Sequence, residues 1–186
     1  MKHPSRYPFS VSLLHWLLAI ALIGNLVIGW LLDDREELLA LHKSIGVAIL
    51  ALALIRLTNR LRVRDQLPPS VNEAGTPAYF AESAVHRLLY VLMIVAPLLG
   101  WLKTNAAGHA ASFFGLFSLP TLLSRSRELS HWLGQFHAIA AYSLAALIGL
   151  HMLGALVHRL LKGRNILPRI LPFPRRTLPR AKHVPE

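Results

Sequence analysis

Four long apolar stretches divide the chain, and polar or turn-rich segments separate them. None of these stretches alternates apolar and polar residues with period two, so each is predicted to be a helix. Backbone polar groups in a bilayer must be hydrogen-bonded within their own segment, which a helix of about 20 residues achieves while crossing the apolar core. The pattern therefore predicts an all-α fold, an integral-membrane four-helix bundle. The predicted spans are residues 11–32, 41–57, 84–102 and 132–161.

The segments outside the spans indicate how the bundle is completed. Residues 59–83 are polar and rich in Pro and Gly, which is typical of a solvated linker. Residues 112–120 are too short to cross a bilayer and too apolar for open water, so we expect an element lying in the membrane interface, where it could cover a cofactor. With no internal repeat, residues 1–186 are predicted to form a single transmembrane domain with a basic, irregular tail, 162–186.

Lysine and arginine are distributed unequally between the two sides of the predicted bundle. Fifteen of the twenty, Arg56 among them, are counted with the N-terminus, the connection that follows the second helix or the tail. Because basic residues accumulate in cytoplasmic connections, both termini are predicted to be cytoplasmic. The net charge of +11 is then explained by contact with anionic membrane lipid, and no nucleic acid is expected as a partner.

Histidine is the most informative polar residue of the chain. The sequence contains ten histidines and no cysteine, which excludes thiolate-held haem, Cys-ligated iron–sulfur clusters and disulfides. Imidazole is then the obvious donor for a transition metal. An ionisable residue inside a span is costly and usually faces the bundle interior, so each intramembrane histidine is expected to have a partner there.

The fourth predicted helix carries two histidines on nearly one face. His137 and His151 are fourteen residues apart, which places them about 40° apart around the helix and about 21 Å apart along it. His42 lies near the outer end of the second helix, at the depth of His137. His15 lies near the inner end of the first helix, at the depth of His151. Two imidazoles on opposite faces of a porphyrin give a closed six-coordinate iron suited to electron transfer. The spacing therefore predicts two haems, held by His42 with His137 and by His15 with His151.

Other ligand sets remain open from the sequence. A zinc site wants about four close donors, and the predicted pairs have no Asp, Glu or Cys near them inside the spans. His131 is an alternative outer ligand, although it lies about 240° around the helix from His137. His158 follows His151 by seven residues and lies on almost the same face, so it is an alternative inner ligand.

The order and spacing of several short motifs resemble the bacterial cytochrome b561 family. The motifs are Leu14-His15-Trp16, His42-Lys43-Ser44-Ile45-Gly46, His86-Arg87-Leu88-Leu89-Tyr90 followed by Pro97 and Gly100, Phe136-His137 and Leu150-His151. The resemblance covers nearly the whole chain. It implies a four-helix bundle of the bacterial inner membrane with two haem b groups. The ligands it implies are His15, His42, His137 and His151.

The resemblance also implies a redox function. The family is associated with electron exchange with quinones, and some members are similar to superoxide oxidases that pass electrons from superoxide to ubiquinone. We therefore expect an oxidoreductase that moves electrons across the membrane between a periplasmic-side donor, with superoxide as one candidate, and a quinone. A second interpretation is a haem-bearing membrane subunit that conducts electrons for a separate periplasmic redox enzyme. A haem-free transporter or structural bundle is a third.

A quinone headgroup exchanges protons as well as electrons, so its site needs titratable neighbours. His86 and His158 lie near the inner edge and are candidates, because histidine donates and accepts protons near neutral pH. Trp16 could line the same site or anchor its helix in the interface. Four basic residues at the outer side could attract superoxide or pair with haem propionates. They are Lys43, Lys103, Arg125 and Arg127.

Overall fold

The computed structural model describes residues 5–161, 163 and 165–172, and the remainder of the predicted tail lies outside the described residues. The four long helices are α1 (Phe9–Trp30), α2 (Leu39–Arg62), α3 (Pro77–Ala106) and α4 (Arg127–Leu160). Each is long and apolar enough to cross a membrane. Large apolar side chains, such as those of Ile20 and Ile139, are exposed on their outer faces, as contact with lipid requires. The predicted four-helix membrane bundle is confirmed.

The helices differ from the predicted spans mainly at their ends. The second helix runs to Arg62 and the third begins at Pro77, five and seven residues beyond the predicted limits. Polar residues at a membrane edge can continue the helical hydrogen-bond ladder, which hydropathy does not register. Capping explains the start of α3, where Pro77 occupies the first turn and the Thr76 hydroxyl accepts a hydrogen bond from the N–H of Tyr79 at 3.3 Å.

The helices pack in chain order around a small apolar core. Helix α1 packs on α2, α2 on α3, and α3 most extensively on α4, whereas α1 and α4 touch only sparsely. The core cluster consists of Leu18, Leu22, Ile49, Ala53, Met93 and Leu144. Because Leu144 lies midway between His137 and His151 along α4, this apolar core separates the two ends of the bundle.

A short β-hairpin closes one end. Strand β1 (Ser112–Phe113) pairs antiparallel with β2 (Phe117–Ser118). Between them, Phe114 and Gly115 have φ angles of 50° and 73°, a conformation that glycine adopts easily and a bulky residue rarely does. The sequence predicted an interfacial element here but no strands, because two-residue strands leave no periodic pattern.

Ser44 fastens the hairpin to α2. Its hydroxyl oxygen accepts a hydrogen bond from the N–H of Phe114 at 2.9 Å, and the hydroxyl donates to the carbonyl of Ala40 at 2.9 Å. Because Ser44 follows His42 by two residues, the hairpin covers the end of the bundle that carries His42. We call this the outer end and the opposite one the inner end, after the predicted orientation.

The first part of the tail, which the sequence predicted to be irregular, makes contact with the inner end of the bundle. Its residues 167–170 form a one-turn helix, α5 (Leu167–Ile170). The carbonyl of Ile170 accepts a hydrogen bond from the indole N–H of Trp16 at 3.1 Å, and the Arg169 guanidinium donates to the carbonyl of Pro69 at 2.7 Å. These bonds tie α1 to the linker between α2 and α3. We call residues 165–172 the inner strap.

Replacing Asn105 with Ala should destabilise the outer connection. The side chain is 1% exposed, donates to the carbonyl of His109 at 3.2 Å and accepts from the N–H of Leu122 at 2.9 Å. The substitution removes both hydrogen bonds, and a typical intramolecular hydrogen bond contributes about 0.5–1.5 kcal/mol. We therefore expect N105A to lower the free energy of unfolding by about 1 kcal/mol or more, measured by SDS titration of the detergent-solubilised protein.

N59A is the matched control for this loss. The Asn59 amide donates to the hydroxyl of Ser10 at 3.1 Å, a bond to another side chain at a half-buried position. The water-accessible hydroxyl can rebond after the substitution, so N59A should change the free energy of unfolding by clearly less. An equal loss in both variants would contradict a special role for Asn105.

Candidate functional site

At the outer end, α2 and α4 each contribute one imidazole to a close pair. The ring centroids of His42 and His137 are 6.1 Å apart, and the ring planes are inclined by 86°. Imidazole nitrogens bind transition metals at about 2 Å, so two rings that share one metal from opposite sides have centroids roughly 6 Å apart. The structure thus brings together the two outer histidines at a separation that fits one iron between them.

Hydrogen bonding orients one of the two outer imidazoles. Nδ1 of His137 lies 2.9 Å from the carbonyl oxygen of Ala96. Only an Nδ1–H can donate to that carbonyl, which leaves the lone pair on Nε2 for a metal. Nδ1 of His42 is buried and has no hydrogen bond of good geometry to the described residues, although the His42 ring lies near the backbone of Asn25.

Two glycines make room for these rings. A methyl group at Gly29 would lie 3.1 Å from Cε1 of His42, and one at Gly100 would lie 3.2 Å from Cε1 of His137. Each contact is tighter than ordinary van der Waals packing, so a larger residue would displace the ring. Nothing in the sequence indicated that Gly29 matters, because His42, the residue it contacts, lies thirteen residues further along the chain.

At the inner end, three helices contribute an imidazole each. The ring centroids of His15 and His151 are 6.2 Å apart, and the ring centroid of His86 lies 5.0 Å from that of His151. His15 and His151 face each other across the sparsely packed seam between α1 and α4. The inner pair therefore has the same separation as the outer pair, with a third imidazole beside it.

The donor set suits haem iron better than zinc. Among residues 5–161, 163 and 165–172, no group of three or more His, Asp or Glu side chains is arranged to hold a metal ion. A bare zinc ion needs about four protein or water donors, whereas a porphyrin supplies four nitrogens and leaves two axial positions to the protein. The two pairs of imidazoles supply the two protein ligands that each haem requires.

The other inner candidates have distinct surroundings. Nδ1 of His86 lies 2.8 Å from the carbonyl of Glu82. His158 is 8% exposed and lies two turns beyond His151 toward the end of α4. The ring of Trp16 lies 5.6 Å from that of His15, but its indole N–H already donates to the inner strap. Trp16 can therefore offer a ligand only its aromatic surface.

His131, the alternative outer ligand, lies elsewhere. Its side chain is exposed and, with Lys103 and Arg127, lines an open cleft of about 500 Å³ on the outer face. The ring that lies against His42 belongs to His137. His131 thus contributes to a basic cleft beside the outer pair.

Basic residues surround the outer pair without joining it. Lys43 and Lys103 both interact electrostatically with His42, and Lys103 also interacts with His137. The Lys103 side chain lies over Gly134, where an added methyl group would be 3.4 Å from its Cε. The outer end therefore presents positive charge next to two imidazoles.

One charged residue lies where the sequence interpretation did not expect it. The charge count groups Arg56 with the basic connection after the second span, although it lies one residue before the end of that predicted span, and α2 continues beyond it to Arg62. The Arg56 guanidinium donates to the carbonyl of Val11 at 3.0 Å, and its central carbon lies 5.8 Å from the ring centroid of Tyr90. The count of basic residues could not give this position, because it depends on which helices pack beside Arg56.

Comparisons with known proteins agree on one family. A family model described as prokaryotic cytochrome b561 matches residues 6–173. Cytochrome b561 homolog 2 of Escherichia coli (strain K12) is 29% identical over 175 residues, which are 90% of this chain and 92% of the relative. Cytochrome b561 homolog 1 of the same strain is 26% identical over 175 residues, 90% of this chain and 98% of the relative.

A third relative carries a functional name. The probable superoxide oxidase CybB of Yersinia pestis is 30% identical over 132 residues, which are 71% of this chain and 73% of the relative. The family match covers all four long helices, including every histidine of the two pairs. This chain belongs to the prokaryotic cytochrome b561 family.

Proposed function

We propose that this membrane-bound b-type cytochrome carries two haem b groups, one between His42 and His137 and one between His15 and His151. We further propose that it moves electrons across the bacterial inner membrane between a periplasmic-side donor and a quinone. The observation that carries the proposal is the presence of two imidazole pairs, with ring centroids 6.1 and 6.2 Å apart, at opposite ends of one bundle.

The protein's own residues define what such a site does. The two histidines of each pair would hold one haem, and a bound haem would supply reversible one-electron transfer. The bond from His137 to the Ala96 carbonyl holds one ring in place. Along α4, His137 and His151 are separated by about 21 Å. That spacing would keep one site in each half of the membrane.

The inner end offers groups that move protons. Reduction of a quinone, with ubiquinone as the proposed substrate, consumes protons as well as electrons. His86 has one ring nitrogen at the Glu82 carbonyl, which leaves the other for proton exchange with a ligand. His158 is a second candidate proton donor, and Trp16 would contribute ring surface to the pocket.

Superoxide is the proposed donor at the outer end. The Yersinia relative is named a probable superoxide oxidase. In this chain, Lys43 and Lys103 lie close enough to the outer pair to interact with it electrostatically. Positive charge beside an open cleft attracts a small anion and raises its encounter rate.

Removal of one axial ligand should remove one haem. We expect the dithionite-reduced protein to show b-type absorption bands and about two haems per chain. H42A and H137A should each lose the outer haem and keep the inner one, and H15A and H151A should do the reverse. A pyridine haemochrome assay on the purified variants measures the stoichiometry.

H131A is the control for ligand loss, since His131 is exposed and lines the cleft. It should retain both haems. A wild-type chain without haem, after production with ample haem supply, would refute the proposal. So would loss of both haems from every folded single variant, because the two sites could not then be separate.

Charge removal at the cleft should slow reaction with superoxide. In proteoliposomes containing ubiquinone, K103Q should lower the superoxide-dependent reduction rate constant by about threefold or more at low ionic strength. The difference should fade at high salt, because exposed charges are screened there. R35Q, which removes an exposed cation paired with Glu37 at 3.7 Å, should leave the rate unchanged. A wild-type protein that holds haem but turns over neither substrate would favour an electron-conduit subunit instead.

The proposed orientation, with both termini cytoplasmic, can be tested by labelling, because the natural chain has no cysteine. D34C lies in the turn after α1, and E73C lies in the linker before α3, both at exposed positions. In spheroplasts, a membrane-impermeant maleimide should label D34C at once and E73C only after lysis, because the linker faces the cytoplasm. The opposite result would invert the orientation.

A further inference from the structure

The Arg56 guanidinium has no carboxylate partner in the described part of the chain. The two ion pairs found there, Arg35 with Glu37 and Arg64 with Asp65, are exposed and lie outside the bundle. Tyr90, Tyr7 and Arg60 interact with Arg56, and none of them is a carboxylate. A cation held among transmembrane helices normally has an anionic partner, because its desolvation is costly.

Two buried hydroxyls lie at the same end of the bundle. Ser12 is fully buried, and its hydroxyl has no hydrogen-bond partner among residues 5–161, 163 and 165–172. The hydroxyl oxygen of Tyr90 is also buried, and the group that interacts with it is the Arg56 guanidinium. Ser12 follows Val11, whose carbonyl accepts the bond from Arg56. Buried polar groups are usually satisfied, so these groups together indicate a polar ligand.

We propose that Arg56, assisted by the Tyr90 and Ser12 hydroxyls, binds a propionate carboxylate of the inner haem and raises the reduction potential of that haem. This inference rests on the proposed function, which places a haem between His15 and His151. Arg56 interacts electrostatically with both of those histidines, so its charge lies within range of the site.

The chemistry of the guanidinium favours a carboxylate over a quinone. A guanidinium forms two parallel hydrogen bonds with a carboxylate, and the pair cancels both charges. A quinone carbonyl would accept a hydrogen bond but leave the cation uncompensated. An unpaired propionate would stabilise the oxidised iron, which carries one more positive charge than the reduced iron, so neutralisation of the propionate by Arg56 raises the reduction potential.

The test is a spectroelectrochemical titration of the purified holoprotein. R56Q should shift the midpoint potential of the inner haem to a more negative value and leave that of the outer haem unchanged. R56K keeps the charge without the planar fork, so it should shift the inner potential less. R62Q removes an exposed cation six residues further along α2 and should shift neither. Infrared difference spectra with isotope-labelled haem propionates should show a displaced carboxylate band in R56Q and R56K.

The outcomes separate this inference from the proposed function. Unchanged inner potential and unchanged propionate band in R56Q would overturn the role of Arg56 while leaving two-haem binding intact. A raised KM for ubiquinone with those two readouts unchanged would assign Arg56 to the quinone and also overturn it. If R56Q does not retain the inner haem, the test is the infrared spectrum of R56K. An unmoved propionate band in R56K would overturn the inference. Absence of the inner haem from the wild type would refute the proposed function itself.

Discussion

An ionisable side chain inside a membrane is tolerated only where the bundle itself satisfies it, and this constraint organises the molecule. Apolar side chains cover the faces exposed to lipid, while four histidines are gathered into two pairs. Both pairs join α4 to a helix with which it otherwise makes few contacts, α1 at the inner end and α2 at the outer end. The imidazoles therefore lie where apolar packing is thinnest. A haem held by each pair would fill the space that direct helix packing leaves.

The sequence predicts those features of the site that depend only on how deep each histidine lies in the membrane. Position along a transmembrane helix converts directly into depth, at about 1.5 Å per residue. That conversion was enough to match His42 with His137 and His15 with His151, and the structure places the rings of each pair close together. The four helices were predictable for a related reason, since hydropathy is a property of each segment by itself.

What escaped prediction depends on lateral arrangement. Gly29 and Gly100 matter because their helices bring them against His42 and His137, which no local pattern reveals. The hairpin at residues 112–118 depends on a tertiary bond to Ser44, and the inner strap depends on bonds to Trp16 and the linker. The charge count groups Arg56 with the connection after the second span, although the predicted span itself includes this residue. Its helix extends past the apolar run, which shows that an edge defined by composition can lie inside the fold.

The two ends of the bundle use positive charge differently. Lys103 is exposed beside an open cleft, where its field reaches outward and acts on an approaching anion. Arg56 is enclosed by neighbouring helices, where the effective dielectric constant is lower and its field acts on adjacent groups. Under the proposed function, the outer cation governs how often a donor arrives and the inner cation governs how stably an electron is held. A cation that stabilises the reduced inner site favours movement of electrons from the outer end to the inner end. That is the direction required to reduce a quinone on the inner side with an electron taken up on the outer side.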